Sequence, residues 1–271
     1  MTATDTPFST HERETPHMTP DLIDEHARAF ARDGYVHLPG VLTAEEVEVL
    51  RDGVVEAHRS PCPTGNRTRL HRHQMFRRGP EFAAMLDREP VVDLAERILG
   101  ENCHVIANNT VYTEPGMGVD HWHVDETVLV PVPDGMRLPD GMDMPCFVVT
   151  AMYYLNDVPM ELGPTQIVPG SHRSGRLPPP DEADLVWDGR GYVSLVARAG
   201  DCVVLNGQTW HRGATNRADH HRVVLQVTYG RRYIAQRFWP YVNFAMPEDV
   251  WDDAPARRRR LLGAHPHGPY G

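Results

Sequence analysis

The stretch CHVIANNTVYTEPGMGVDHWHVDE, residues 103–126, decides the fold class. Its two short runs rich in β-branched and aromatic residues, 103–113 and 119–124, are broken at Pro115 and Gly116 and contrast with the helical periodicity upstream. The same pattern of short runs broken by Gly, Pro, Asn and Asp continues at 146–155, 165–168, 192–197, 202–205, 210–214 and 221–229. About eight such runs predict a β-sandwich or barrel such as a jelly roll. No internal repeat is detectable. The connections 126–145 and 173–191 are long for a compact domain, which marks them as candidate lids or binding loops.

Upstream, Leu22, Ile23, Ala27 and Phe30 recur at helical spacing, with Gly34 as the stop before an extended run at Tyr35–Leu38. Thr43 and Glu46 form a capping-box pair, and Val47, Leu50 and Val54 give the next helix, to about His58, one apolar face. After the Arg- and His-rich segment 59–79, residues 81–99 read as one or two further helices ending at Gly100. Residues 1–19 lack apolar periodicity and are expected to be a disordered tail. The expectation is therefore one domain over 20–271, with a helical part at 20–100, a β core at 103–230 and a C-terminal extension at 231–271.

Against 37 acidic residues stand 27 basic ones, all Arg, for a net charge of -10. Such a balance argues against nucleic acid or an anionic membrane as the main partner. The one dense basic run, Arg257–Arg260, is expected on the solvated side of a C-terminal helix. Cys62, Cys103, Cys146 and Cys202 are widely spaced and form no disulfide framework, and no signal-peptide h-region or membrane span is visible. A cytoplasmic protein with reduced thiols is expected; oligomeric state is not legible.

The chemistry concentrates in GMGVDHWHVDE. Side chains two apart on a strand share a face, so His121, His123 and Asp125 can all look inward. An imidazole and a carboxylate suit iron(II), and a two-His-one-carboxylate set leaves coordination positions open. His211, in NGQTWHRG, is the candidate third ligand. Ordinary alternatives are an exposed strand-edge pair for His123 and Asp125 and a hydrogen-bonded core histidine for His211. Arg222 lies eleven residues after His211, and a hairpin through RGATNRADH would set the two on adjacent strands. Its guanidinium fork suits a dicarboxylate such as 2-oxoglutarate, unless it is a surface residue or an ion-pair partner.

At this point the chain resembles the phytanoyl-CoA dioxygenase family of iron(II)- and 2-oxoglutarate-dependent oxygenases, from about residue 20 to the end. The resemblance is carried by FARDGYVHLPGVLTAEEV, HWHVDE, GPTQIVPGSHR, WHRGATN and RVVLQVTYG, five segments in the family's order. It implies a mainly β fold: a double-stranded β-helix (jelly roll, cupin-like) core with flanking N-terminal helices. It also implies His123, Asp125 and His211 as metal ligands and Arg222 as the 2-oxoglutarate-binding residue. Thr165 and Asn109 are weaker candidates near the co-substrate carboxylates, each otherwise a locally hydrogen-bonded strand residue. His172, in the Pro169–His172 turn, reads as structural. His121 is left out of the ligand set as a fourth ligand, a supporting donor or a pocket wall.

The cofactors so implied are iron(II), 2-oxoglutarate and O2, and the implied reaction is hydroxylation of an unactivated C–H bond with release of succinate and CO2. Cyclisation, desaturation and epimerisation are variants. Related halogenating enzymes lack the carboxylate that Asp125 keeps, which argues against halogenation. Two other readings stay open: a cupin-type metal enzyme without 2-oxoglutarate, using His121, His123, His211 and Glu126, and a catalytically silent binding protein. The acidic charge offers no cradle for the phosphates of CoA, so a small metabolite or natural-product intermediate is the expected substrate. Residues 126–145 and Arg231, Arg232, Gln236, Arg237 and Trp239 are candidates for its pocket or for packing.

Overall fold

The computed structural model describes residues 18–59, 71–139, 142–180, 183–238 and 245–265. The expected tail up to Pro16 and His17, Cys62 and Trp239 therefore lie outside the described residues. The chain opens with α1 (Pro20–Asp33), β1 (Tyr35–Leu38), α2 (Ala44–Arg59), α3 (Pro80–Ala84) and α4 (Val91–Leu99). The strands β2 (His104–Thr113), β3 (Val119–His123), β4 (Val148–Tyr154), β5 (Thr165–Ile167), β6 (Val186–Trp187), β7 (Arg190–Gly191) and β8 (Val193–Leu195) follow. After β9 (Cys202–Asn206), β10 (His211–Gly213) and β11 (Arg222–Gly230), α5 (Glu248–Trp251) and α6 (Ala256–Leu261) close the described chain.

The helix ends follow from local chemistry. Thr19 caps α1, and Gly34 ends it in the left-handed region at φ 81°, its N–H donating to Phe30 at 2.8 Å. A side chain at Gly34 would also meet His172 at 2.6 Å, so both conformation and space require glycine. The capping box before α2 is reciprocal: the Thr43 N–H donates to Glu46 at 2.9 Å and the Glu46 N–H to the Thr43 hydroxyl at 3.2 Å.

All eight expected β runs are strands. They form two antiparallel sheets, β1-β9-β4-β11-β2 and β3-β10-β5-β8, which together make the expected jelly roll. Strand parity sorts the core into two layers. Val149, Ala151 and Tyr153 of β4, with Val204, Leu225 and Val227, face the helical layer of Phe30, Leu50, Val54 and Leu94. Met152, Tyr154, Val203, Leu205 and Val224 point the other way, toward Ile167 and Leu195 of the smaller sheet. Because β4 is covered on both faces, all seven of its residues are buried, which is why it reads as a continuous apolar run rather than an alternating one.

Three features depart from the sequence reading. The connection 173–191 contains a small hairpin, β6 to β7, turning at Asp188 and Gly189, both at positive φ. Arg257–Arg260 do form a helix, but not a solvated basic face: Arg257 pairs with Glu89, Asp93 and Glu96, Arg258 with Asp87, and Arg260 with Glu96. Lastly, β10 and β11 lie in different sheets, so the segment 212–220 crosses the sandwich instead of turning a hairpin between adjacent strands.

His172 lies in a 3-10 turn at Ser171–Ser174 and is 2 % exposed, with Nε2 at 3.1 Å from the Ala31 carbonyl near the end of α1. Burial depresses its pKa to about 4. Because the unfolded chain takes up this proton near the ordinary value, the native state keeps its full advantage above about pH 6.5 and loses it as pH falls toward 4. Unfolding titrations over that window should show wild type losing up to about 3 kcal/mol more than His172→Gln. Parallel curves would show that His172 is not the neutral buried group described.

Candidate metal centre

His123 ends β3 and stands directly opposite His211, the first residue of β10, across the antiparallel pair. Facing residues of such a pair project to the same side, which brings the two rings to 4.3 Å between centroids. Between His211 and Gly213 the register slips, two residues of β10 spanning the four from His123 to Val119. The even slip preserves which face His123 presents.

Both imidazoles are oriented alike. Nδ1 of His123 lies 3.0 Å from the His121 carbonyl, and Nδ1 of His211 lies 2.9 Å from the Thr209 carbonyl. A carbonyl only accepts, so Nδ1 carries the proton and the Nε2 lone pair of each neutral ring is free for a metal. The carboxylate of Asp125 completes the group, with Oδ1 at 3.5 Å from Nε2 of His211 and 3.9 Å from Nε2 of His123. Among the described residues this is the one cluster of three such groups, its ligand atoms all within 4.8 Å of one another. Asp125 arrives by a route other than strand parity: β3 stops at His123, and the Asp125 N–H donates to the Gly207 carbonyl at 3.0 Å.

Charge follows the geometry. Burial opposes ionisation of Asp125, but the two imidazoles and Arg237 outweigh it and hold the carboxyl below its usual range. Burial likewise works against a charged His211, yet the Asp125 carboxylate raises its pKa overall. His123 is lowered, by burial first and by His211 second.

A cavity of 160 Å³ opens on this cluster and is bounded on its far side by Arg222, Thr165 and Val224. Arg222 comes from β11, in the sheet opposite His211, so it reaches the site from across the sandwich. Its side chain is buried, with an N–H donating to the Gly163 carbonyl and another to the Thr113 hydroxyl at 3.2 Å. Gly163 sits at φ 71°, and any side chain there would strike the backbone of Ala214 and Thr215. No carboxylate pairs with Arg222 among the described residues, its Nε is without a partner, and burial lowers its pKa. The hydroxyl of Tyr154 is equally buried and unpartnered, lying beside Thr165 and Arg222 without reaching hydrogen-bond geometry. A desolvated cation next to an unpaired donor is costly unless an anion joins them, so this end of the cavity fits a carboxylate.

The remaining sequence candidates separate cleanly. Thr165 lines the cavity. Asn109 stands one layer back, its amide donating to Gln226 at 2.8 Å, and it is Gln226 that faces the cavity. His121 contributes its carbonyl to His123 while its ring is exposed and outside the ligand set. Glu126 pairs with Arg237 rather than joining the cluster. Arg231 and Gln236 hydrogen-bond to the carbonyls of Cys146 and of Val105 and Leu262, which assigns them to packing. Sequence reading passed over Gln226 and Tyr154, although Gln226 shares the inward parity of Arg222 four residues before it.

Among the described residues, no helix is long and apolar enough to cross a membrane. The family model described as phytanoyl-CoA dioxygenase (PhyH) matches residues 30–224. L-proline trans-4-hydroxylase of Streptomyces griseoviridis is 28% identical over 246 residues, covering 78% of this chain and 87% of the relative. Among solved structures, the epimerase SnoN of nogalamycin biosynthesis, described as non-haem and α-ketoglutarate-dependent, superposes with TM-score 0.61 at 24% identity, covering 84% of this chain and 86% of its own. HygX from Streptomyces hygroscopicus, solved with nickel and 2-oxoglutarate bound, gives TM-score 0.62 at 16% identity, covering 81% and 89%. At these identities the structural matches speak for the fold alone, and the family model reaches further: the chain belongs to the phytanoyl-CoA dioxygenase family of iron(II)- and 2-oxoglutarate-dependent oxygenases.

Proposed function

We propose that this chain, acting as one oxygenase domain over 20–271, hydroxylates an unactivated C–H bond of a small metabolite or natural-product intermediate. His123, Asp125 and His211 hold iron(II), and Arg222 holds the far carboxylate of 2-oxoglutarate. The observation that carries this reading is a buried guanidinium without a counter-ion among the described residues, lining the same 160 Å³ cavity as a three-ligand cluster. When bound, iron(II) with 2-oxoglutarate and O2 supplies oxidation of the C–H bond, with succinate and CO2 as co-products.

The chain's own residues bind, orient and exclude water. His123 and His211, through Nε2, and the Asp125 carboxylate would hold iron(II) beside the cavity. Arg222 anchors the co-substrate at one end, with the Tyr154 hydroxyl and Thr165 as further polar contacts. Val111, Val119, Met152 and Val224 make the intervening wall apolar, which keeps bulk water from the reacting atoms. Glu126 is engaged with Arg237, which disfavours the cupin-type reading that needs it as a ligand. The relatives include a proline hydroxylase and an epimerase, so product mass is the discriminating readout. Hydroxylation adds one oxygen, desaturation or cyclisation removes two hydrogens, and epimerisation changes nothing.

The test is anaerobic loading with iron(II) and 2-oxoglutarate, then addition of O2 with a panel of small substrates, following succinate and product mass together. Succinate released in step with an oxygenated product is expected. Turnover that proceeds with O2 in the absence of 2-oxoglutarate would falsify the assignment.

A further inference from the structure

Asp125 is the ligand that the sheet does not place, so something outside the sheet must hold it. Its neighbour Glu126 also donates its N–H to Gly207, at 3.2 Å, so one carbonyl receives both peptides of the turn. The Glu126 side chain packs against Gly207 so closely that a Cβ at 207 would lie 2.6 Å from Cγ of Glu126. Both Glu126 carboxylate oxygens accept from one guanidinium, that of Arg237, at 2.5 and 3.2 Å. The Glu126 side chain is 15% exposed and that of Arg237 46%, so the fork is half-sheltered, and its bidentate geometry is what distinguishes it from a single surface ion pair.

Arg237 is itself held by a segment stitched along β2. Its N–H donates to Ile106 at 2.6 Å, and the preceding Gln236 donates to Val105 at 3.1 Å. The following Phe238 is 2 % exposed and meets Phe76 edge-on at 5.2 Å between centroids. The guanidinium is thus delivered to Glu126 from an anchored backbone on both sides.

We propose that the Glu126–Arg237 pair is a positioning device for the metal centre, tying segment 231–238 to the turn after β3 and so fixing the Asp125 carboxylate for coordination. The proposal rests on the ligand assignment above. Neither residue touches the metal; both hold the Asp125–Glu126 turn through its bond to Gly207, and Arg237 also sets its charge beside the Asp125 carboxylate. Supporting residues of this kind typically change metal affinity by about 10–100-fold when removed.

The experiment is a cobalt(II) titration of the full chain, read by its visible absorption, with thermal unfolding of the metal-free protein measured alongside. Glu126→Gln and Arg237→Ala should each raise the cobalt(II) Kd by about tenfold or more. The double variant should be no worse than the weaker single one, and Arg237→Lys should recover part of the affinity. Gly207→Ala, which displaces Glu126 without altering either charge, should weaken cobalt(II) as well. A merely structural pair would lower the melting temperature and leave the cobalt(II) Kd within twofold of wild type; that result overturns the proposal. Asp125→Ala separates the two levels of inference: if it binds cobalt(II) like wild type, the ligand assignment fails, whereas if it loses the metal while Glu126→Gln does not, only the positioning role fails.

Discussion

Arg222→Met is expected to remove half or more of the stabilisation that 2-oxoglutarate gives the iron-loaded protein while leaving metal binding in place. The physical reason is a cost that the fold itself imposes on Arg222. A guanidinium 3 % exposed, with two N–H groups satisfied by Gly163 and Thr113 and Nε unpartnered, has lost its hydration without gaining a counter-ion among the described residues. A carboxylate arriving there regains charged hydrogen bonds in a low-dielectric site, each worth about 1.5–3 kcal/mol. Removing the cation should therefore raise the 2-oxoglutarate Kd by roughly 10- to 150-fold. In wild type, co-substrate at a hundred times its Kd should add about 2.7 kcal/mol to the unfolding free energy, and in Arg222→Met at the same concentration the increment falls to about 0.3–1.4 kcal/mol. Arg222→Lys is expected to restore little, because an ammonium lacks the planar fork. The metal-free variant should be close to wild type in stability: the desolvated charge is removed, but the Gly163 carbonyl and Thr113 lose a donor. Unchanged co-substrate affinity in Arg222→Met would mean that the anion binds elsewhere.

How much of this was legible in the sequence depends on whether a feature is local. The capping box at Thr43 and Glu46, the stop at Gly34 and the eight β runs are written in neighbouring residues, and the structure contains all of them. The pairing of runs is not local. A separation of eleven positions from His211 to Arg222 suits a hairpin as well as a crossing between sheets, and only the tertiary packing of β10 and β11 into opposite sheets decides it. Arg222 still reaches the cavity because its parity on β11 matches Val224 and Gln226, both of which line it. Asp125 shows the same limit at smaller scale. Strand alternation put it beside His123, yet β3 ends before it and the Gly207 carbonyl places it instead. Arg257–Arg260 read as solvated because their partners Asp87, Glu89, Asp93 and Glu96 come from more than 150 residues earlier.

Asp125→Ala and His211→Ala should each lower 2-oxoglutarate-coupled turnover by at least on the order of a thousandfold, a barrier and binding loss of about 4 kcal/mol or more. The two variants fail for different reasons. Asp125 is the one anion in the cluster, so its removal leaves two neutral nitrogens facing a doubly charged ion and takes away most of the electrostatic attraction. His211→Ala keeps that charge but removes one nitrogen donor and opens a gap at a position only 7 % exposed, next to Trp210, which is buried against Val168 and Leu185. Its metal-free stability should therefore drop, whereas that of Asp125→Ala should drop less, since the side chain is 38% accessible and what is lost is its charge interaction with the two imidazoles and Arg237. Asp125→Glu tests reach: the added methylene moves the carboxylate from a position set by the Gly207 carbonyl, so weak metal binding with little turnover is expected. Measuring the cobalt(II) Kd, succinate and melting temperature on the same preparations separates these causes. A His211→Ala enzyme that is folded and fully active would show that the third ligand has been misassigned, because among the described residues no other histidine or carboxylate joins His123 and Asp125.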